Sequence, residues 1–567
     1  MTEIRYQTPF PHTVWLVSLA VSISAVVAIY AVLPSQNGLL DYLTAFSDAT
    51  RYMVDLIVYA FSVDLKQALG AAHWRTLSIP ALLLLVPLAW IPTATVAAIR
   101  ARKPANDASW ANNAEVRNMG LHGKLGPVLG VHNGKVLRPD ETRHVLAVAP
   151  TRAGKTRQAI STVLDYPGTV VVIDPKDEIR QITNPHRSKI GPTYHIAFAD
   201  PSTPDGWNPV SLRAAPADNA ELERSAARLA GIFAPKNPGA SDSHWDDTAF
   251  RNTTALLMWE MCEARRTQKD GHLSNLIKHI SDLPEADPED EESDPFALKM
   301  AQMATHATNH GFPVNVATDL INFANIHFRE RSSHVSTLLT KLQEFRLESA
   351  RNALAKDSFQ WADLRARPST VYIDYPRADA QAFGKLVASF IDGLTAWALS
   401  RGRKEGEYPI LVIMDEFRDN PYIPNFISGM TAGAGLGITF YPIVQTLGQL
   451  KERYRDSWEN IRNNVEYLIL FENPDPETQK LVSEIVGEYT TSAKTESKSK
   501  AGWSKGYSES ERRKRLINPS EIGVIPFGHH IVLARRHQMR PILCKSAFWD
   551  QLKEFRRLVP RKARIKT

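Results

Sequence analysis

The fold of this chain of 567 residues is decided by one stretch, HVLAVAPTRAGKT, at residues 144–156. The first five residues form a short apolar run of the kind that a buried parallel strand produces. The glycine, lysine and threonine that follow lead into a helix-like segment, residues 157–164. This order of strand, loop and helix predicts a phosphate-binding (Walker A) loop, because backbone N–H groups of such a loop converge on phosphates.

The residue types of the loop suit the binding of a nucleoside triphosphate. Gly154 lets the backbone come close to the phosphates, Lys155 supplies a point charge, and the Thr156 hydroxyl is a ligand for Mg²⁺. A chance match is the alternative, and the strand in front of the loop argues against it. The predicted nucleotide-binding residues are Ala149, Pro150, Thr151, Arg152, Ala153, Gly154, Lys155 and Thr156.

A Walker A loop requires an acidic strand end, and YPILVIMDE at residues 408–416 provides one. Asp415 is expected to hold Mg²⁺ together with Thr156, and Glu416 is placed to activate the attacking water. Gln445 follows another apolar run by four residues and is a candidate sensor of the γ-phosphate; an ordinary loop amide is the alternative. Lys155, Asp415, Glu416 and Gln445 are therefore the predicted catalytic residues, with ATP and Mg²⁺ as cofactors.

Further apolar runs predict that these strands belong to one parallel sheet in an α/β protein. They are residues 169–174, 370–373, 437–441, 467–471 and 530–533.

Composition excludes several classes of protein. The chain is 43% hydrophobic and 23% charged, so it is neither disordered throughout nor collagen-like. Its two cysteines, Cys262 and Cys544, cannot build a cysteine-based zinc site and do not indicate a disulfide framework.

The first 103 residues are predicted to be a membrane anchor. Apolar spans at about residues 14–33 and 77–99 are long enough to cross a bilayer, with a small periplasmic loop at 34–76 between them. A cleaved signal peptide is the alternative for the first span. Arg100, Arg102 and Lys103 follow the second span directly, and the positive-inside rule therefore predicts that the rest of the chain lies in the cytoplasm.

Beyond these motifs, the sequence resembles the type IV secretion coupling proteins of the TraG/TraD type. The two spans and the Walker A stretch come first, and further segments follow in the family's order. They are VIDPKDE (172–178), GWNP (206–209), HW (244–245), STLL (336–339), DEF (415–417), QTLGQL (445–450) and LINPSEI (516–522). The chain departs from the family at Asp177, where glycine is usual, and at 429–437, which lacks an arginine that relatives often carry.

The resemblance implies a RecA-like P-loop ATPase domain at residues 104–210 and 365–550, with an all-α domain inserted at 211–364. It also implies a homo-hexamer that uses ATP hydrolysis to deliver a relaxase with single-stranded DNA, or protein effectors, to channel components of a type IV secretion system. The alternatives are an FtsK-like or HerA-like DNA translocase and a non-hydrolysing membrane receptor. Arg418 and Arg462 are candidates for an arginine acting on a neighbouring subunit.

The net charge of +6 is unevenly distributed along the chain. Residues 490–515 carry eight basic and three acidic residues, and the tail 551–567 carries seven basic residues and one acidic residue. We interpret the first segment as a solvated mobile loop, with contact to nucleic acid or membrane lipid as the alternative. The acidic run 282–294 is expected to be an exposed loop, or else a docking site for a basic cargo signal.

Overall fold

The computed structural model describes residues 107–236, 243–285, 294–419, 423–498, 505–535 and 540–561. The predicted membrane spans lie outside these ranges. The described residues fall into two compact units, which are treated separately: a body formed by residues 108–487 and 515–561, and a ribbon within residues 488–514.

The body contains an 11-stranded sheet whose order is β2-β1-β13-β12-β9-β3-β8-β7-β4-β6-β5. The strands are β1 (Gly130–His132), β2 (Lys135–Leu137), β3 (Val145–Val148), β4 (Thr169–Ile173), β5 (Thr193–Ala197), β6 (Thr370–Asp374), β7 (Ile410–Met414), β8 (Ile438–Val444), β9 (Tyr467–Leu470), β12 (His529–Ala534) and β13 (Arg540–Lys545). β10 and β11 belong to the ribbon.

Seven neighbouring strands, from β9 to β5, run parallel, as the buried apolar runs predict. Alternate residues of these strands point to opposite faces, so that the sheet separates two hydrophobic clusters. Val171 and Val412, for example, lie in one cluster, and Val170 and Leu411 lie in the other.

The remaining strands are antiparallel, and the prediction that residues 530–533 join the parallel set was wrong. β12 pairs antiparallel with β9 and with β13, and β1 pairs antiparallel with β13 and β2. An apolar run shows that a strand is buried but carries no information about its direction. A short link from β12 to β13 requires an antiparallel pair, since a parallel pair needs a long crossover.

Helices cover both faces of the sheet. The helices outside the insertion are α1 (Asn113–Asn118), α2 (Lys155–Asp165), α3 (Glu178–Arg187), α11 (Asp363–Ala366), α12 (Ala380–Arg401), α13 (Phe426–Leu436), α14 (Leu447–Tyr454), α15 (Trp458–Asn464), α16 (Pro476–Val486), α17 (Pro519–Ile522) and α18 (Lys553–Arg556). Among the described residues one helical segment, Arg377–Arg401, is long and apolar enough to cross a membrane by length and composition. Two thirds of its most apolar window is buried inside the body, as in a core helix.

The insertion, within residues 211–362 between β5 and β6, has helices as the only regular elements of its described part. Its helices are α4 (Asn219–Phe233), α5 (Ser243–Thr267), α6 (Asn275–Ser281), α7 (Pro295–Asn309), α8 (Val314–Ala324), α9 (Phe328–Lys341) and α10 (Glu348–Leu354). The apolar spacing over 332–354 suggests one helix, but a 3₁₀ turn at Gln343–Arg346 separates α9 from α10. The helices share one hydrophobic cluster with a face of the sheet.

The segment GWNP explains how the insertion is attached to the body. A Cβ added to Gly206 would lie 2.0 Å from the carbonyl oxygen of Ala353, so that only glycine fits this close approach. Trp207 packs against Trp361 at 5.8 Å between ring centroids. The side-chain amide of Asn208 donates to the carbonyl oxygen of Gly271 at 2.8 Å. The motif, which precedes the insertion, therefore contacts the end of the insertion and the connection between α5 and α6.

The two charged segments near the C-terminus are more ordered than expected. Residues 488–498 and 505–515 are not a mobile loop but form the two strands of the ribbon, β10 (Glu488–Lys498) and β11 (Lys505–Arg515). In the expected tail, Phe555 and Val559 are buried in the body, so residues up to 561 are packed rather than free. Of the acidic run, Asp294 caps α7 by accepting from the Ala297 amide at 2.9 Å.

Replacing Gly206 by alanine should destabilise the protein, because the new methyl group collides with a backbone carbonyl that cannot turn away. Overpacking of this kind costs about 1–3 kcal/mol. Thermal unfolding of the detergent-purified full chain measures the loss. Gly435→Ala is the matched control, since a Cβ there meets nothing within 4 Å. A melting temperature of Gly206→Ala equal to that of the unsubstituted protein would contradict this account of the motif.

Candidate active site

The predicted site residues come from three neighbouring strands of the sheet. Lys155 and Thr156 open α2 after β3, Asp415 and Glu416 follow β7, and Gln445 follows β8. The strands lie in the order β3-β8-β7 and run parallel. Carboxyl ends of parallel strands meet at one edge of a sheet, and ligands of open α/β sheets bind at that edge.

At this edge the structure brings the side chains predicted to be catalytic into direct contact. The Nζ of Lys155 lies 2.6 Å from Oε1 of Glu416 and 3.2 Å from Oδ1 of Asp415. The Thr156 hydroxyl donates to Oδ2 of Asp415 at 3.0 Å. The side-chain amide of Gln445 donates to Oε2 of Glu416 at 3.0 Å. The order β3-β8-β7 therefore collects groups that are up to 290 positions apart in the chain.

The loop itself has the backbone of an anion site. Gly154 has φ +91° and Arg152 has φ +69°, both in the left-handed region. Gly154 is the N-cap of α2 and makes no side-chain cap, so the first N–H groups of the helix are available to a phosphate. A Cβ on Gly154 would also lie 2.6 Å from the Phe548 ring. Both the dihedral angle and this contact require glycine.

Ala149, where this kind of loop usually has glycine, causes no steric problem. Its side chain is fully buried, and its amide continues the sheet by donating to the carbonyl oxygen of Val444 at 2.9 Å. Its φ is not in the left-handed region. Nothing at this position demands glycine, so the departure from the motif leaves the loop intact.

Glu416 is held as a carboxylate in a strained position. Its φ of +58° is unusual for a residue with a side chain, and such strain is concentrated at functional sites. Burial pushes the pKa of Glu416 upward, but the hydrogen bond and charge of Lys155 outweigh burial, with help from Gln445 and Arg377. The net effect holds this pKa below its ordinary value.

Arg377 is the site residue that sequence reasoning missed. Its guanidinium Nη2 lies 3.7 Å from Oε2 of Glu416, and its side chain is half-exposed. It follows β6 by three residues, and β6 ends at the same edge of the sheet. That position was the available signal, because a polar residue just after a predicted parallel strand lies near the edge that binds ligands.

The two arginines considered from the sequence lie in other settings. The backbone carbonyl of Arg418 accepts from the Arg453 guanidinium at 3.1 Å. The guanidinium of Arg462 lies 5.1 Å from the centroid of the Trp458 ring. Among the described residues, the arginine within ion-pair distance of Glu416 is Arg377.

The neighbouring strand end carries a third buried carboxyl group, Asp174. It accepts hydrogen bonds from the amides of Ile179 at 2.7 Å and Lys176 at 3.0 Å, and so shapes the turn into α3. Burial raises the pKa of Asp174 to about 7, and the charge of Asp415 adds to the rise. Asp177, which stands where the family usually has glycine, has φ +57°. Glycine adopts this left-handed conformation without strain, which accounts for its frequency at this position in the family.

The donor set at Thr156 and Asp415 fits Mg²⁺. A hydroxyl and a carboxylate are the oxygen ligands that this ion takes, and it keeps several waters besides. Oδ1 of Asp415 is buried and has no hydrogen-bond partner among the described residues, although Lys155 lies nearby. A buried carboxylate oxygen that accepts no hydrogen bond is suited to bind a metal ion or a metal-bound water.

Removing the Lys155 amine should change how the stability of the protein depends on pH. Without its cation, Glu416 acquires a higher pKa in the folded state than in the unfolded chain, so stability falls as pH rises through that interval. Truncating one partner of a buried ion pair costs about 3–5 kcal/mol. Thermal unfolding of nucleotide-free Lys155→Ala between pH 5 and 8 measures the effect, and Lys155→Ala/Glu416→Gln should recover much of the loss. Equal pH profiles for Lys155→Ala and the unsubstituted protein would contradict it.

Two known proteins are similar in sequence to most of this chain. The protein VirD4 of Rhizobium radiobacter is 24% identical over 498 residues, which cover 84% of this chain and 69% of VirD4. The conjugal transfer protein TraG of Escherichia coli is 26% identical over 424 residues, which cover 68% of this chain and 64% of TraG. The chain thus spans about two thirds of the length of these relatives.

Solved structures of the bacterial conjugative coupling protein TrwB share the fold. TrwBdeltaN70 in an unbound form superposes with a TM-score of 0.57 at 15% identity, over 79% of this chain and 93% of that one. TrwB in complex with ADP and Mg²⁺ gives 0.55 at 14% identity, over 79% and 94%. At these identities the likeness shows the fold alone, and it confirms the predicted α/β RecA-like architecture.

The family prediction rests on a match to a family model. The family model described as type IV secretory system conjugative DNA transfer covers residues 102–566. It confirms the resemblance to coupling proteins and does not favour the FtsK-like or HerA-like alternative. The chain belongs to the type IV secretory system conjugative DNA transfer family.

Proposed function

We propose that this chain is an ATPase that uses hydrolysis at the Lys155–Glu416 site to deliver a conjugative substrate to a type IV secretion channel. The observation that carries the proposal is the contact of Lys155, Thr156, Asp415, Glu416 and Gln445 at one edge of the sheet. The complete set of groups argues against a receptor with a degenerate nucleotide site.

The phosphate-binding loop, residues 149–156, binds the triphosphate of ATP. The N–H groups of the loop and of the first turn of α2 donate to the phosphates, and Lys155 exchanges its carboxylate partners for phosphate oxygens. Thr156 and Asp415 would hold Mg²⁺, which neutralises charge that develops on the phosphates during transfer. ATP binding thereby breaks the ion pair that the structure shows between Lys155 and Glu416.

When Lys155 moves to the phosphates, Glu416 becomes available as the base that activates the attacking water. The hydrogen bond and charge of Lys155 hold the pKa of Glu416 down against burial, and contact of the lysine with phosphate withdraws that hydrogen bond from the carboxylate. Glu416 then accepts a proton from the attacking water more readily, while Gln445 keeps its orientation through the hydrogen bond at 3.0 Å. The site becomes an effective base only when ATP is bound.

The wider assembly follows from the family. We propose a homo-hexamer at the bacterial inner membrane, anchored in membrane lipid by two spans in residues 1–103, with the body in the cytoplasm. Its cargo is a relaxase with its single-stranded DNA, because the matching family is described by conjugative DNA transfer. Protein effectors are the second cargo class, and an unchanged ATPase rate with single-stranded DNA would favour them.

Lys155→Ala should abolish ATP binding, hydrolysis and substrate transfer, while membrane insertion persists. Loss of the lysine removes the charge that holds the phosphates, and the predicted anchor is remote in sequence. ATPase rate and nucleotide affinity of the detergent-purified full chain, and transfer frequency in cells, measure the result. Lys124→Ala, at an exposed lysine, is the matched control. Normal transfer by Lys155→Ala would refute the motor function.

Glu416→Gln should separate binding from chemistry. The amide cannot accept the proton, so hydrolysis should fall by about 10²–10⁴-fold. Affinity for ATP should be kept or increased, because Lys155 then has one carboxylate partner to leave, Asp415, instead of two. Titration calorimetry and single-turnover hydrolysis on the same preparation test this. Parallel loss of binding and hydrolysis would assign Glu416 to nucleotide binding instead.

A further inference from the structure

Two phenylalanines stand beside the phosphate loop and have no part in the reaction described above. Phe548 is buried, and its ring atoms lie 2.6 Å from the position of a Cβ on Gly154. Phe527 lies against Phe548, with 5.6 Å between ring centroids and 38° between ring planes. Unlike Phe548, the Phe527 side chain is 61% exposed.

Phe548 is fixed to the first turns of α2. The guanidinium of Arg157 lies 4.1 Å from the centroid of its ring, and Arg157 also forms an ion pair with Asp550. The amide of Ala547 donates to Oε1 of Gln158 at 3.3 Å. This segment therefore keeps its position relative to the loop.

The sheet order places the phenylalanines and the carboxylates on opposite sides of the loop. β3 lies between β9 and β8. Asp415, Glu416 and Gln445 follow β7 and β8, on one side of β3. Phe527 precedes β12 and Phe548 follows β13, on the other side.

The same register puts both phenylalanines at the edge where the loop lies. β12 is antiparallel to β9, with Ile531 opposite Leu470, so the start of β12 lies at the carboxyl end of β9 and β3. His529 pairs with Lys545, so the end of β13 lies at that edge as well. An exposed aromatic ring thus borders the loop on the side away from the catalytic carboxylates.

We propose that Phe527 is the stacking face for the base of the bound nucleotide. The inference rests on the proposed nucleotide site. Asp415, Glu416 and Gln445 hold the γ-phosphate end of the triphosphate on their side of the loop. The nucleotide therefore extends from there toward the other side of the loop, where its base lies. There Phe527 offers an apolar ring supported from beneath by Phe548, while Val524 of the same turn is 72% exposed.

Stacking on Phe527 would determine which nucleotides the site prefers. An aromatic ring recognises the area of a base and not its hydrogen-bonding groups, and each stacked base contributes a sequence-tolerant affinity. ATP and GTP should therefore bind alike, both more tightly than pyrimidine nucleotides. Inorganic tripolyphosphate, which lacks a base, should gain nothing from Phe527.

Calorimetric titration of the detergent-purified full chain tests the proposal with Mg²⁺ and either ATP or tripolyphosphate. Phe527→Ala should weaken ATP binding by about tenfold, the effect of losing one stacked base, and leave tripolyphosphate binding unchanged. Phe527→Trp should preserve ATP affinity. Phe328→Ala is the matched control, because Phe328 is 59% exposed on the helical insertion.

Three outcomes would overturn the proposal, and they differ in what else they affect. Unchanged ATP affinity in Phe527→Ala would remove Phe527 from the nucleotide site and leave the proposed function standing. Equal losses for ATP and tripolyphosphate would show that Phe527 supports the loop or a contact between subunits. Failure of the unsubstituted protein to bind either ligand would overturn the nucleotide site itself.

Discussion

The site depends on the neutralisation of two buried carboxylates, chiefly by one lysine. Asp415 and Glu416 are adjacent in sequence and almost completely buried, and Lys155 is the cation that lies between them. Two like charges in a desolvated position are unfavourable without such a partner. Because phosphate competes for the same lysine, nucleotide binding is coupled through this one side chain to the charge state of the site.

The sheet order makes that coupling geometrically possible. The strand order β3-β8-β7 puts the loop, Gln445 and the two acids on consecutive strands, while β12 and β13 enclose the loop from the other side. The helical insertion packs on the face of the sheet that shares a cluster with Leu222 and Phe345. The GWNP segment packs against the end and the middle of that insertion, so the motif is structural rather than catalytic.

Much of the fold could be predicted because buried parallel strands leave a strong apolar signal. The runs containing Val145, Val170 and Leu411 all became central strands. The antiparallel edge was missed because direction is not encoded in an apolar run, and β5 because three of its five residues are only half-buried. For the ribbon strands at 488–498 and 505–515 the sequence favours a loop, because their composition is polar and charged.

The sequence by itself determined the phosphate loop, the acidic strand end and the identities of the groups that meet there. It did so because strand, loop and helix are adjacent along the chain and each has a local pattern. Only the tertiary structure decided which strands are neighbours, and therefore that Gln445 and Arg377 contact Glu416 and that Phe548 requires Gly154. Contacts between residues far apart in sequence depend on the order of the strands, and no local pattern carries that order.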